Sequence, residues 1–393
     1  MKLQRNLTAA ALGVGLVGML GSDSCQAARS GDVVVQKDIV PMQTTVGAPE
    51  LVARFSDAMP TGVAVSRRGR IFVNFPRWED GVPFTVGEVL KNGKVVPYPN
   101  AAMAGDMTSV QSVVIDSKDR LWALDTGSVK WSAPDQDKAK LVCYDLATNK
   151  VIQTIKFGPD VLLPTTYLND VRFDLSRGKA GTAFITDSSR TGDGALIVVD
   201  LASGQSMRRL HNHVSCRPVS GFVPFVEGAP LMVLNRQGEK ETLKVGCDGI
   251  AMGADGKNLY YCPLSSRKLY AVSIDALCDP TVDDRKLGEL VCEVVEKGAS
   301  DGLESDDKGR IYTTDYEHNA IRRVDLKGQQ ETIVCDPRVL WPDTLSLAAD
   351  GYLYFTCNQL HRQARFNAGV DKRQKPYVLF RVKVSPDSRP VAL

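Results

Sequence analysis

The sequence predicts an all-β fold, a six-bladed β-propeller of four-stranded antiparallel blades closed by the N-terminal strand. Three observations predict it. A strand–turn–strand unit recurs six times along the chain. Its apolar residues alternate as sheets packed between neighbouring sheets require. A strand-like run ahead of the first unit matches the strand that the last unit lacks.

The six units occupy residues 60–74, 110–125, 168–187, 247–262, 300–315 and 342–357. Asp, Lys and Gly at their turns supply the backbone freedom of a tight hairpin. Third strands are expected at 141–146, 195–201, 268–274 and 320–326, and fourth strands at 151–157 and 331–335. Equivalent positions 61, 111, 169, 248, 301 and 343 step by 50, 58, 79, 53 and 42. The long step holds an insertion at 211–246. A second insertion at 358–376 carries Arg362, Arg365, Lys372, Arg373 and Lys375 and is expected to be a mobile, solvated loop. The last unit shows three strands, ending at 378–384, so residues 51–55 are expected to complete its blade and leave no open sheet edge.

The chain has 393 residues, a 43% hydrophobic and 24% charged composition, and 48 Lys+Arg against 46 Asp+Glu. That is an ordinary globular balance, and it gives no generic attraction to nucleic acid or an anionic membrane. Residues 1–28 read as a cleaved signal: Lys2 and Arg5, an uncharged apolar run, then small residues at Gln26-Ala27-Ala28. Residues 29–49 follow as an extension, 50–385 as the propeller and 386–393 as a tail. The expected location is exported, periplasmic or secreted, as a monomer, with no membrane contact after cleavage. A G-x-G-x-x-G match at Gly13–Gly18 lies in the signal, with no strand before it, and is not a dinucleotide site. Removing the signal leaves eight cysteines, an even number that permits disulfides in an exported chain. Cys247 with Cys262, flanking one hairpin, is the expected local pair.

In a propeller the innermost strands line a central channel. Their starts supply Thr61, Gln111, Asn169, Asp248, Asp301 and Asp343, and the second-strand ends supply Asn74, Asp125, Asp187, Asp315 and Asn358. Converging oxygens without His or thiolate suit Ca²⁺ or another divalent cation, with Asn169, Asp248 and Asp301 as candidate ligands. Without a cation, neighbouring carboxylates repel until one takes a proton. Trp78, Trp131, Tyr167, Tyr316 and Trp341 fall near loops of the same face and could stack a ligand. No G-x-S-x-G, Walker or H-E-x-x-H motif occurs, and His211-x-His213 lacks a third ligand.

The stretches 167–174, 183–187 and 141–146, with Trp341-Pro342-Asp343-Thr344, 353–358 and 379–382, resemble the major royal jelly/Yellow proteins. The short loops resemble the bacterial, dopachrome tautomerase-related branch. The resemblance spans roughly residues 50–385 and implies a secreted six-bladed propeller. Insect members include dopachrome-converting enzymes and amine binders, whose pocket would correspond to Thr344 and Asn358. A more distant likeness is to gluconolactonases and regucalcin. There Asn169 and Asp248 occupy two of four metal-ligand positions, while Thr61 and Gln111 replace the others.

Two functions of different classes follow. One is binding of a small polar or aromatic molecule, with isomerase chemistry by Asp301 and Asp343 and ligand contacts from Asn169, Asp248, Thr344 and Asn358. The other is a divalent-metal-dependent lactone hydrolase. A non-enzymatic interaction scaffold is a third reading.

Overall fold

Six four-stranded antiparallel sheets form, one for each repeat, in a computed structural model that describes residues 45–393 apart from 79, 80 and 236. Residues 1–28, with the signal and the glycine motif, and most of the extension lie outside the described residues. Blade 1 comprises Val63–Val65, Ile71–Asn74, Val86–Val89 and Val95–Pro97. Blade 2 comprises Val110–Ile115, Arg120–Asp125, Lys140–Asp145 and Lys150–Lys156. Blade 3 comprises Leu168–Asp174, Thr182–Asp187, Ala195–Asp200 and Ser206–Arg209. Blade 4 comprises Cys247–Met252, Asn258–Pro263, Lys268–Ser273 and Cys292–Glu296. Blade 5 comprises Leu303–Ser305, Ile311–Asp315, Ala320–Val324 and Gln330–Cys335.

Blade 6 is built from both ends of the propeller. Pro342–Leu347, Tyr352–Cys357 and Tyr377–Lys383 are completed by Glu50–Phe55, which pairs with the third strand from Glu50↔Arg381 to Phe55↔Tyr377. The expected closure is therefore present. The Thr356 hydroxyl adds a seam on the inside, donating to the Thr61 carbonyl of blade 1 at 2.6 Å.

Burial follows position in the blade. The inner strands of blades 3 and 4 are buried along their whole length, whereas Lys150–Lys156, an outer strand, is mostly exposed. Clusters such as Trp122, Leu124, Leu141, Phe173 and Ile185 join the facing sheets of adjacent blades, so the core is a set of inter-blade layers around the channel.

Two features differ from the sequence reading. Short helices at Ile274–Cys278 and Asp284–Glu289, capped by Ser273 and Asp283, separate the last two strands of blade 4. The 358–376 segment is not simply solvated: it carries two 3₁₀ turns, Leu360–Arg362 and Ala364–Phe366, with Leu360 and His361 buried. It packs with the other insertion, which contributes two small hairpins and the buried Phe222, Val226, Leu231 and Leu243 to the same cluster as Trp78, Tyr167, Tyr316 and Trp341.

On the opposite side of the blades, a cavity of about 350 Å³ lies in the channel. Val63, Val113, Phe173, Leu345 and the tail residues Arg389–Leu393 are among its walls. The tail is anchored by Ser388, which accepts from Arg310 at 2.6 Å, and by Leu393, whose carbonyl accepts from Ser117 at 2.6 Å.

Candidate functional site

A β-bulge at the start of an inner strand takes a residue out of the ladder and re-aims its side chain. The register slips between Val110 and Ser112, Leu168 and Val171, Cys247 and Ile250, and Pro342 and Leu345. The bulges fall on Gln111, Asn169, Asp248 and Asp343. In blades 1 and 5 the regular strand starts two residues after Thr61 and Asp301. This is why one register of the repeat supplies the ring.

Threonines of the second strands hold these irregular starts. Thr186 donates to the Asp248 carbonyl at 2.6 Å, and Thr314 accepts from the Asp301 amide at 2.9 Å. Glycine then brings the acidic blades together. A Cβ on Gly249 would lie 2.4 Å from the Asp301 carbonyl oxygen, and one on Gly302 would lie 2.3 Å from that of Asp343. Any other residue would push blades 4, 5 and 6 apart at the ring.

The acids fall on one side. Asp248 accepts from Asn169 Nδ2 at 2.7 Å and Ser188 Oγ at 2.9 Å, and is hydrogen-bonded to Asp301. Asp301 also accepts from the Trp341 indole at 2.7 Å. Asp343 accepts from Asn358 Nδ2 at 2.6 Å and Thr344 Oγ1 at 3.1 Å. Every candidate residue is thus engaged in one of these two linked groups. The other side is neutral: Thr61 accepts from Asn74 at 2.7 Å, and Gln111 Oε1 accepts from the Tyr167 hydroxyl at 3.0 Å.

Burial sets the protonation. It pushes Asp301 up to about 6, against the opposing hydrogen bonds from Trp341 and Asp248. Burial and the neighbouring Asp301 charge hold Asp248 and Asp343 well above the ordinary carboxylate range. The arrangement favours an ionised Asp301 between two protonated neighbours. Lys297 is fully buried, which lowers its own pKa, and in its protonated form it favours ionised Asp301.

The remaining strand-end acids do not point into the ring. Asp125 accepts from the amides of Thr108, Ser109 and Gly127, and Asp187 from those of Tyr167 and Ser189. Asp315 pairs with Arg322 at 2.7 Å. Of the second-strand ends, Asn358 alone joins the acidic group, while Asn74 braces blades 1 and 2 by donating to the Val110 and Gln111 carbonyls. Sequence reasoning also missed Arg172. Buried below the ring, it pairs with Asp170 at 2.9 Å and donates across the channel to the Leu303 carbonyl at 2.7 Å.

Two aromatic stacks border the ring, one tied to Gln111 through Tyr167 and one to Asp301 through Trp341. Trp78 and Trp131 lie 4.6 Å apart, with Tyr167 4.8 Å from Trp131. Tyr316 and Trp341 lie 4.3 Å apart, and His361 follows at 5.8 Å. Trp131 and Trp341 both adopt positive φ, +59° and +54°, a conformation that is strained for a bulky side chain. The insertions meet over the second stack. Glu227 accepts from His361 Nε2 at 2.9 Å and Arg362 Nε at 3.0 Å. A chain of contacts therefore runs from Asp301 through Trp341 and His361 to the insertion. Glu227→Ala should speed amide exchange in 219–231 and 359–367 while moving the melting temperature by no more than about 2 °C, because a partly exposed ion pair contributes about 0–1 kcal/mol. Unchanged exchange in both segments would show that the pair does not hold them together.

Residues 108–390 match the family model described as major royal jelly protein. The chain belongs to the major royal jelly protein family. Protein yellow of Drosophila madeirensis is 29% identical over 242 residues, covering 58% of this chain and 41% of that protein. Major royal jelly protein 3 of Apis mellifera is 26% identical over 254 residues, covering 62% and 43%. This family member thus spans about two fifths of the length of the curated relatives it matches. Among solved structures, a gluconolactonase from Xanthomonas campestris aligns with a TM-score of 0.52 at 13% identity, over 88% of this chain and 99% of that one. A calcium-binding regucalcin from Agrobacterium tumefaciens aligns at 0.51 and 15%, over 89% and 99%. At such identities these likenesses establish the propeller fold alone.

A divalent cation does not fit the family member's ring as it is arranged. Asn169 turns its amide nitrogen, a donor, toward Asp248. Asp301 and Asp248 bond to each other, and Thr61 and Gln111 are committed elsewhere. Among the described residues no group of three or more His, Cys, Asp or Glu is placed to hold a metal. The expected set of Asn169, Asp248 and Asp301 is brought together, but as a group hydrogen-bonded within itself. Among the described residues, no helix is long and apolar enough to cross a membrane.

Proposed function

We propose that this protein is an exported monomer that binds a small aromatic molecule bearing a polar or cationic group at the acidic side of the ring. The carrying observation is the convergence of Asp248, Asp301 and Asp343 beside the Tyr316–Trp341 stack, with a second stack bordering the ring at Gln111. Carboxylates attract a cationic head group, and the π-faces match an aromatic ring. Export is supported by the basic, apolar and small-residue pattern of residues 1–28. Neither the balanced composition nor the acidic ring favours nucleic acid.

The same group can support an isomerisation of the dopachrome tautomerase type. Ionised Asp301 would accept a proton from carbon, and protonated Asp248 or Asp343 would return one to oxygen, with no net change in protons or oxidation state. Asn358 and Thr344 would fix Asp343, while Asn169 and Ser188 would fix Asp248. The lactone hydrolase alternative needs a bound cation, and the amide orientation of Asn169 opposes it.

Titration of tryptophan fluorescence with tyramine tests the binding reading. Saturable quenching at millimolar concentrations or below is expected, and Trp341→Phe should lower its amplitude. No saturable response to tyramine or to other aromatic amines would reject it. Gluconolactone turnover that is abolished by EDTA and restored by Ca²⁺ would favour the hydrolase instead.

A further inference from the structure

Cys247 and Cys262 do not pair, although they flank one hairpin: both are free thiols. Cys262 turns toward Lys297 and the Ser300 carbonyl. The Cys247 thiol is instead hydrogen-bonded to that of Cys216. Both residues are fully buried in the cluster between blades 3 and 4.

The backbone around them is equally close. A Cβ on Gly194 would lie 2.4 Å from the Cys216 carbonyl oxygen and 2.6 Å from the Cys247 nitrogen. A Cβ on Gly246 would lie 2.7 Å from the same Cys216 oxygen. Two glycines therefore let the chain entering the insertion run against the chain leaving it. Gly246 is further fixed by its amide donating to the Ser188 carbonyl at 2.8 Å, and Ser215 by its hydroxyl at 2.7 Å from that of Tyr261.

We propose that Cys216 and Cys247 are a disulfide-forming pair that staples the base of the insertion carrying Phe222, Glu227 and Leu231. Its presence in the mature protein rests on the export reading, since such bonds persist in oxidising compartments. The oxidant is a small-molecule or protein disulfide. One cysteine thiolate attacks it, forming a mixed disulfide and releasing one thiol. The second cysteine thiolate then displaces the other thiol. Two protein S–H bonds are lost, one S–S bond forms, and the oxidant leaves as two thiols. Because both sulfurs are buried, the exchange must occur during folding, before the insertion docks.

The staple would close a loop of about 30 residues, long enough for a cross-link to restrict the open chain substantially. It would act on the insertion that reaches His361 and, through Trp341, Asp301. Reduction would therefore loosen the cover of the acidic group without breaking a blade ladder.

The test is peptide mapping of the full chain refolded in oxidised glutathione, unfolded in the presence of iodoacetamide, and digested without reductant. A peptide containing Cys216 linked to one containing Cys247 is expected, and amides of 219–231 should exchange on the order of tenfold slower than in protein refolded with dithiothreitol. Recovery of both peptides alkylated and unlinked, or of Cys247 linked to Cys262, would overturn the pairing. Cys216→Ser should abolish the link, and Cys262→Ser should preserve it. If one variant does not fold, the wild-type map still decides. The same map on protein from the cytoplasmic and the periplasmic or medium fractions of its cells separates the two readings: a link formed in glutathione, with the cellular protein found only in the cytoplasm and reduced, would overturn export and leave the pair.

Discussion

Deletion of Glu50–Phe55 is expected to abolish the cooperative thermal transition altogether. The strand contributes five register pairs to blade 6, from Glu50↔Arg381 to Phe55↔Tyr377. It also buries Ala53 and Phe55 in the cluster that includes Tyr377 and Leu379. Just before it, Val46 and Gly47 donate backbone hydrogen bonds to Thr332 and Ile333 on the outer strand of blade 5. Removing the strand exposes the edge of Tyr377–Lys383 and leaves a hydrophobic layer uncovered. Losing a buried Phe alone costs about 3–5 kcal/mol, and each unmade ladder bond about 1 kcal/mol, against a total stability of about 5–15 kcal/mol. Near-ultraviolet circular dichroism during heating is the measurement. A truncated protein that still melts cooperatively within a few degrees of the parent would show that the ring does not depend on this closure.

That closure was legible in the sequence because it depends on patterns that strands impose locally. Alternating apolar residues and turn glycines mark a hairpin whatever it packs against, and six of them in order imply the ring. The ring register was legible for the same reason, since Asn169, Asp248, Asp301 and Asp343 occupy equivalent positions of one repeat. What each side chain does there was less legible. Asp248 at a first-strand start and Asp187 at a second-strand end read alike as acids of one face, yet Asp187 clamps a loop through two backbone amides while Asp248 meets Asp301. The difference arises from the bulges and from the close approach of Gly249 and Gly302 to neighbouring carbonyls. The cover was hardest to read. Glu227 and Arg362 are separated by 135 residues, and neither segment shows a period that predicts their meeting. The approach of Cys216 to Cys247 was hidden for a similar reason, across an insertion whose length gives no hint that its ends touch.

Replacing Asp301 and Asp343 together by Asn is expected to eliminate tyramine binding and, at the same time, to make the protein more stable above neutral pH. Both effects come from one cause. Burial raises the three ring acids above their ordinary range, Asp301 to about 6 and the others further. For an acid with a raised folded pKa, the folded state holds its proton where the unfolded chain has lost it. Its contribution therefore favours folding most at low pH and weakens as pH rises from about 4 through the folded pKa, at about 1.4 kcal/mol per pH unit for each proton retained. In the wild type that decline should begin near pH 4, pass Asp301 near 6 and continue above it. Asn can keep the local bonds: its carbonyl accepts from Trp341 at position 301 and from Asn358 at position 343, where the acids accept now. It cannot ionise, so the decline should be shallower in the variant and the two stability curves should diverge as pH rises. Denaturant melts between pH 4.5 and 8.5 provide the measurement. Parallel curves would mean that these carboxyls are not the source of the alkaline loss. Undiminished tyramine binding in a folded double variant would remove Asp301 and Asp343 from the ligand site. Divergence together with lost binding would mean that the buried charge needed to hold a cationic ligand is the same charge that weakens the free protein.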